Sequence, residues 1–188
     1  MIKLETKHLK AALLMAPKKD IRYYLNSVLF RMHNGKLHTV ATNGRTMLLG
    51  RTDPMWIGEP CEIDIIIPGE TVQNAIKITG KNRFMDLLVA NDSCSLGGLS
   101  FKPIEAKYPD YTRVIPNSCS GELWQYDADL LSAAQSALRI WHDDKNLAPY
   151  FHHNGLSCGI MTRRHESVLI AVMPWRTEKQ DFAFSNED

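Results

Sequence analysis

The order of predicted elements repeats along the chain, and a repeat of order restricts the fold more than any single motif does. Residues 1–5 alternate as a short strand, and an apolar pattern at Leu9, Ala12, Leu13 and Ala16 predicts a helix capped by Thr6 and stopped by Pro17. Residues 21–32 read as a strand, Asn34 and Gly35 as a tight hairpin turn, and residues 36–42 as the return strand. Residues 45–51 add a third strand, ended by Asp53 and Pro54. The order then recurs, with a strand at 61–67 and a helix at 70–78 entered through Pro68 and Gly69, with Val72, Ala75 and Ile76 on one face. Strands at 84–90, 93–96 and 99–103 follow, split by turns at Asn91 with Asp92 and at Gly97 with Gly98. A third pass opens with a strand at 121–126 and enters a helix at Asp127, with Leu130, Leu131, Ala134, Leu138 and Trp141 inward. It closes with strands at 149–153, 156–162 and 167–173, the first two joined by a second hairpin signal at Asn154 and Gly155. Three βαβββ-like units of about 55 to 70 residues are the outcome.

Between the second and third units, residues 107–118 contain Pro109 and Pro116 and a polar close, which favours an extended connector. The expected division is therefore 1–118 and 119–188, with a polar, acidic tail after residue 176 that frays. A chain of 188 residues with 44% hydrophobic residues has enough apolar material for one domain plus a smaller unit. Its four cysteines, Cys61, Cys94, Cys119 and Cys158, form no CxxC pair, and no charged-then-apolar leader opens the chain. A reduced, cytoplasmic protein is expected. No apolar run approaches the roughly 18 residues that a membrane span needs.

Catalytic chemistry finds little support. His152 and His153 are adjacent, so on a strand they point to opposite faces and do not share one metal, even with Cys158 a hairpin away. HExxH, GxxxxGK[ST] and GxGxxG are all missing. Asp143 with Asp144 follows a helix, and Asp127 with Asp129 caps one. No enzyme, metal or cofactor is expected. With a formal charge of +1, any nucleic-acid contact has to come from local clusters. Lys18, Lys19, Arg22, Tyr23 and Tyr24 supply such a cluster at a helix–strand turn, where charge meets phosphate while a ring stacks. Lys7, Lys10, Lys77, Lys81 and Arg83 lie on or beside the first two helices and extend a weakly basic surface, although each lysine alone reads more readily as a solvated charge.

Three separated blocks carry a resemblance. Arg22-Tyr23-Tyr24-Leu25-Asn26-Ser27, continued by Val40-Ala41-Thr42-Asn43-Gly44-Arg45, is similar to the RYYLNG and VATDGHRL patterns of the bacterial DNA polymerase III β subunit, the sliding-clamp family. Tyr108-Pro109-Asp110-Tyr111-Thr112-Arg113-Val114-Ile115-Pro116 resembles that family's FPDYRRVLP connector, and Val172-Met173-Pro174-Trp175-Arg176 its C-terminal VMPMR. The resemblance is close over residues 1–118, thin over 119–167, and returns at the end. It implies an α+β processivity-clamp fold of repeated βαβββ units, about one and a half domains here, with helices lining a ring around duplex DNA and the family's first domain absent.

The resemblance also implies a hydrophobic partner cleft between two domains, receiving short linear motifs of polymerase and clamp-loader subunits. Matched by position, Leu25, Thr42, Gly44, Arg45 and Met47 form one wall, Pro109, Arg113 and Val114 the connector, and Val172, Met173, Pro174, Trp175 and Arg176 the other wall. Apolar and Met side chains accept varied aliphatic anchors, and arginines hold backbone or carboxylate oxygens. Asn43, Thr46 and Trp175 stand where the family has Asp, a larger Arg and Met, departures that narrow or tilt the cleft. Assembly is expected as a homo-oligomer: a family ring holds twelve units, so four copies of about three units close one, or a dimer forms through an apolar face of the third helix left uncovered at Leu130, Leu131, Ala134 and Leu138. The alternative is a truncated clamp mimic, of the kind a phage or plasmid encodes, that sequesters clamp partners without encircling DNA.

Overall fold

A computed structural model describes residues 1–90, 94–163 and 167–176. The turn expected at Asn91 and Asp92 and the tail after residue 176 lie outside the described residues. Twelve strands and three helices are present among them, in two antiparallel sheets, and the class is α+β. In the first unit, β1 (Ile2–Glu5) leads into α1 (Thr6–Met15), then β2 (Ser27–His33), β3 (Lys36–Thr42) and β4 (Thr46–Thr52). A two-residue strand, β5 (Met55–Trp56), follows where the sequence signals only a strand end, and it pairs with β1. The second unit is β6 (Asp64–Pro68), α2 (Gly69–Thr79), β7 (Phe84–Leu88), β8 (Cys94–Leu96) and β9 (Leu99–Phe101). The third is α3 (Ala128–His142), β10 (Tyr150–His152), β11 (Gly159–Thr162) and β12 (Val168–Val172).

The first two units exchange their leading strands. β1 pairs with β7 in a sheet of order β5-β1-β7-β8-β9, whereas β6 pairs with β2 in a sheet of order β10-β11-β12-β4-β3-β2-β6. The third unit joins that second sheet through β12 and β4, in register from Val168 opposite Gly50 to Val172 opposite Thr46. Period-two alternation divides these strands between two cores. Phe30, Leu48 and Ile170 face the helices, while Leu29, Leu49 and Ala171 face the opposite side. That opposite side is covered by the connector, through Ile104, Tyr108, Tyr111 and Ile115. Burial of both faces explains why β4, β6 and β12 read as nearly continuous apolar runs.

Several local expectations are corrected. Thr6 is not the helix cap: the cap position is Glu5, and the Thr6 hydroxyl donates to the Asn82 carbonyl at 2.8 Å, tying α1 to the second unit. The strand expected from residue 21 begins at Ser27, because residues 23–25 form a 3-10 turn closed by the Asn26 N–H on the Tyr23 carbonyl. The strand expected at 121–126 does not form. Its backbone makes isolated bonds instead, from Gly121 to His153, from Gly155 to Glu122 and from Trp175 to Gln125. Asn34 and Gly35 make the expected two-residue turn, both with positive φ (49° and 73°), but Asn154 and Gly155 do not. Residues 153–158 loop out there, with the Asn154 side chain accepting from the Ser120 N–H and donating to the Cys158 carbonyl.

The uncovered face expected on α3 is covered. α3 packs on α1, and Ala134, Ala137 and Leu138 are fully buried in the helix-side core. Trp141 seals this junction. Its ring lies on Gly50, where an added Cβ would stand 1.9 Å from it, and stacks on His8 with centroids 3.7 Å apart. Burial is the main reason that the His8 pKa falls from 6.5 to about 4, with Glu5 opposing and Lys7 and His142 adding to it. A ring that binds its proton more tightly unfolded than folded makes stability fall as pH drops from about 6.5 toward about 4. Thermal melts across that window should show the loss, and His8→Gln should reduce the slope, leaving the share that His38 contributes.

Candidate functional site

Residues from three distant blocks converge on the connector-covered side of the large sheet. They enclose a cleft of about 300 Å³. Its floor is apolar and buried, with Leu25 from the 3-10 turn, Met47 from β4, Ala171 from β12, and Tyr108 and Tyr111 from the connector. Arg22, Arg45, Pro109, Val114 and Met173 complete the wall and rim. The β4–β12 ladder is what sets Met47 opposite Ala171.

The rim is built by local polar bonds. The Thr42 hydroxyl donates to the Thr46 carbonyl (2.7 Å) and accepts from the Gly44 N–H (3.0 Å), while Asn43 Oδ1 accepts from the Arg45 and Thr46 N–H groups (2.8 Å each). Asn43 therefore does the work of an Asx turn. Gly44 takes φ +85°, and a Cβ there would lie 3.2 Å from the Arg22 guanidinium. Arg22 is fixed in turn by Asp20, which accepts from its backbone N–H, Nε and Nη2 at 2.8 to 3.0 Å. Those bonds hold the Asp20 carboxyl at about 2, below its ordinary 3.8.

Across the cleft, the 3-10 turn at residues 111–114 is capped by Asp110, which accepts from the Thr112 N–H and hydroxyl. The Tyr111 hydroxyl lies 2.9 Å from His38 Nδ1, and the Cys158 thiol donates to the Val114 carbonyl at 2.9 Å. These bonds seat the connector on the sheet. Burial pushes the Tyr108 and Tyr111 phenols above their ordinary range, so both stay neutral.

Of the residues expected at a partner cleft, Leu25, Thr42, Gly44, Arg45, Met47, Pro109, Val114 and Met173 line it. Arg113, Val172, Pro174, Trp175 and Arg176 do not. Val172 is fully buried on the helix side, because alternation along β12 turns it away from Ala171 and Met173. Trp175 sits beside the rim, its N–H donating to the Gln125 carbonyl and its carbonyl accepting from Trp124 Nε1, both at 2.8 Å. The Arg45 guanidinium lies 5.5 Å from the Trp175 ring centroid and bonds the Asp127 carboxylate at 3.0 Å, linking the β3–β4 turn to the start of α3.

Arg22 and Tyr24, expected at DNA, line this cleft, while Lys18, Lys19 and Tyr23 of the same segment are exposed outside it. Tyr108, Tyr111, Thr46 and Ala171 also line it. The alternation of β12 points to Ala171, and the two tyrosines lie inside the connector block. The helix-borne cations gather elsewhere: Lys7, Lys10, Lys81 and Arg83 border an open groove of about 510 Å³ together with Glu5 and Asp143. Glu5 lies 3.4 Å from Lys7 and 3.7 Å from Arg83, which reduces the net field. Lys77 is exposed on α2 apart from that groove. No group of three His, Cys, Asp or Glu side chains is placed to hold a metal among the described residues. No described helix is long and apolar enough to cross a membrane.

The fold is that of the DNA sliding clamps. A Helicobacter pylori beta clamp superposes with a TM-score of 0.76 at 11% identity over 94% of this chain and 66% of its own, and a Pseudomonas aeruginosa DNA polymerase sliding clamp with 0.72 at 14% over 93% and 66%. In sequence the chain resembles the bacterial DNA polymerase III β subunit: it is 28% identical over 132 residues to the beta sliding clamp of Salmonella typhimurium, and 28% identical over 137 residues to that of Escherichia coli K12. Each match covers 68% of this chain and 35% of the relative, so the matched stretch spans about a third of those proteins. No family model matches the chain.

Gly44→Ala tests the rim. A Cβ at positive φ is strained and displaces Arg22, so the melting temperature should fall, by the equivalent of about 1 kcal/mol.

Proposed function

We propose that this chain is a non-catalytic, sliding-clamp-like accessory of DNA replication, a processivity factor that receives short linear motifs of polymerase and clamp-loader subunits in the cleft between β3–β4, β12 and the connector. The observation that carries this reading is the convergence of three distant sequence blocks on one apolar cleft with arginines at its rim. A buried Met47 beside a half-buried Met173 accommodates aliphatic anchors of different shape. Arg22 and Arg45 at the rim suit peptide carbonyl or carboxylate oxygens, and the Gly44 turn lets a backbone come close. Residues 1–118 act as a complete clamp-like domain and residues 119–188 as a shortened one that supplies the second wall.

A peptide carrying a clamp-binding motif should bind with micromolar affinity, about 8 kcal/mol, by isothermal titration calorimetry. Met173→Ala should weaken it by about 1 kcal/mol or more. Binding unchanged in that variant would refute the assignment of the cleft.

DNA contact belongs to the same reading. Lys7, Lys10, Lys81 and Arg83 at the open groove, Lys77 on α2, and Lys18, Lys19 and Tyr23 on the loop after α1 supply phosphate contacts without base readout. Duplex binding should be weak, independent of sequence, and steeply reduced by added salt; affinity unchanged between low and high salt would exclude it.

A second reading, a mimic that occupies clamp partners without encircling DNA, is favoured by one observation. The α3 face that would drive self-association is already buried on α1. Light scattering at micromolar concentration separates the two readings, since encirclement by this chain requires an oligomer and the mimic does not.

A further inference from the structure

On the same side of the sheet, but beyond Tyr111 from the peptide cleft, lies a second cleft of about 410 Å³ between the β2–β3 hairpin and the connector. His33 comes from the hairpin, Lys36 and His38 from β3, Arg51 from β4, and Tyr111 and Thr112 from the connector. Four side chains able to carry positive charge thus share one concave surface. His38 is among them although it is only 5% exposed.

The carboxylates near these groups lie outward, among them the exposed Asp110, which accepts from the lining Thr112. Lys36 meets Asp53 at 2.6 Å, but the Asp53 side chain is 83% exposed. Arg31, whose guanidinium lies 6.0 Å from the Tyr111 ring centroid, is matched by Asp64 at 3.0 Å. Arg51 has no ion pair among the described residues. The His33 and His38 rings stand 5.2 Å apart, and the Tyr111 hydroxyl lies 2.9 Å from His38 Nδ1. Burial, followed by the charges of His33, Arg51 and Arg31, brings the His38 pKa from 6.5 to about 4. An electropositive cleft with a fixed imidazole and an arginine without a carboxylate partner is suited to a compact oxyanion.

We propose that this second cleft binds the phosphate group of a small ligand, with Arg51, Lys36 and His33 around the oxyanion and His38 at the floor. The volume exceeds that of a phosphate ion and leaves space for the rest of a phosphate monoester, within the range of ordinary ligand clefts. The ligand bridges the β2–β3 hairpin and the connector. Because Tyr111 lines both clefts, occupancy here stiffens the segment that carries Val114 to the peptide cleft.

The test follows the imidazole signals of His33 and His38 by NMR during titration with inorganic phosphate and, separately, adenosine monophosphate, at ionic strength held constant with sodium chloride. The bound phosphate, a monoanion in the range where His38 titrates, offsets the neighbouring cations, so the His38 pKa should rise from about 4 by about half a unit or more. Arg51→Gln and, independently, Lys36→Gln should each weaken binding about tenfold while leaving the melting temperature unchanged. Tighter binding of the monophosphate identifies an ester as the ligand, and equal binding identifies the free ion. Three results would overturn the proposal: no histidine response up to about 20 mM phosphate, well past millimolar affinity; the same response to chloride alone; or a response undiminished in Arg51→Gln.

Discussion

The antiparallel ladder between β4 and β12 joins strands more than a hundred residues apart, and both sides of the molecule depend on it. On the helix side it sets Leu48 opposite Ile170 and lays α3 against α1, with Trp141 filling the space that Gly50 leaves empty. On the other side it sets Met47 opposite Ala171 and so forms the cleft floor. A slip of one residue in this ladder would exchange the two faces and lose both cores together.

Polar bonds then refine what the ladder places. The connector contributes tyrosines to the cleft only because Tyr111 is tied to His38 and the Val114 carbonyl to Cys158. Arg45 meets Asp127 and the Trp175 ring, both at the surface, so the pair contributes more to orientation than to stability. Its effect is to align the β3–β4 turn with the start of α3, the two pieces of chain that frame one end of the cleft. Trp175 is thus used beside the cleft and not within it.

The positive groups are distributed in the same economical way. The groove at Lys7, Lys10, Lys81 and Arg83 contains Glu5 and Asp143, which dilute its positive field. The cleft at His33, Lys36, His38 and Arg51 is smaller, about 410 Å³ against 510 Å³, and its Asp53 carboxylate lies at the outside.

Strands and helices with a strong local signal were legible in advance. Lys36–Thr42 needed only the Asn34 and Gly35 turn after the preceding strand, and the start of α3 needed only Asp127, whose carboxylate accepts from the Asp129 N–H as a cap does. Eight of the expected cleft residues were legible through motif position. What failed had no local signature. Residues 121–126 have strand-like side chains, but a strand exists only where a partner offers a ladder, and here they meet a single carbonyl and single N–H groups of two segments, at His153 with Gly155 and at Trp175. Thr6 has the chemistry of a cap, yet the Asn82 carbonyl, 76 residues away, claims its hydroxyl. Val172 and Met173 are adjacent in one motif and point to opposite faces, a division fixed by the register of β12 on β4. The sequence by itself determined most of the helices and strands of the first two units, the Asn34 and Gly35 turn, and the blocks that meet. Tertiary structure alone decided which face each side chain serves and that α1 covers α3, because register and helix packing are settled by long-range contacts that local propensity does not encode.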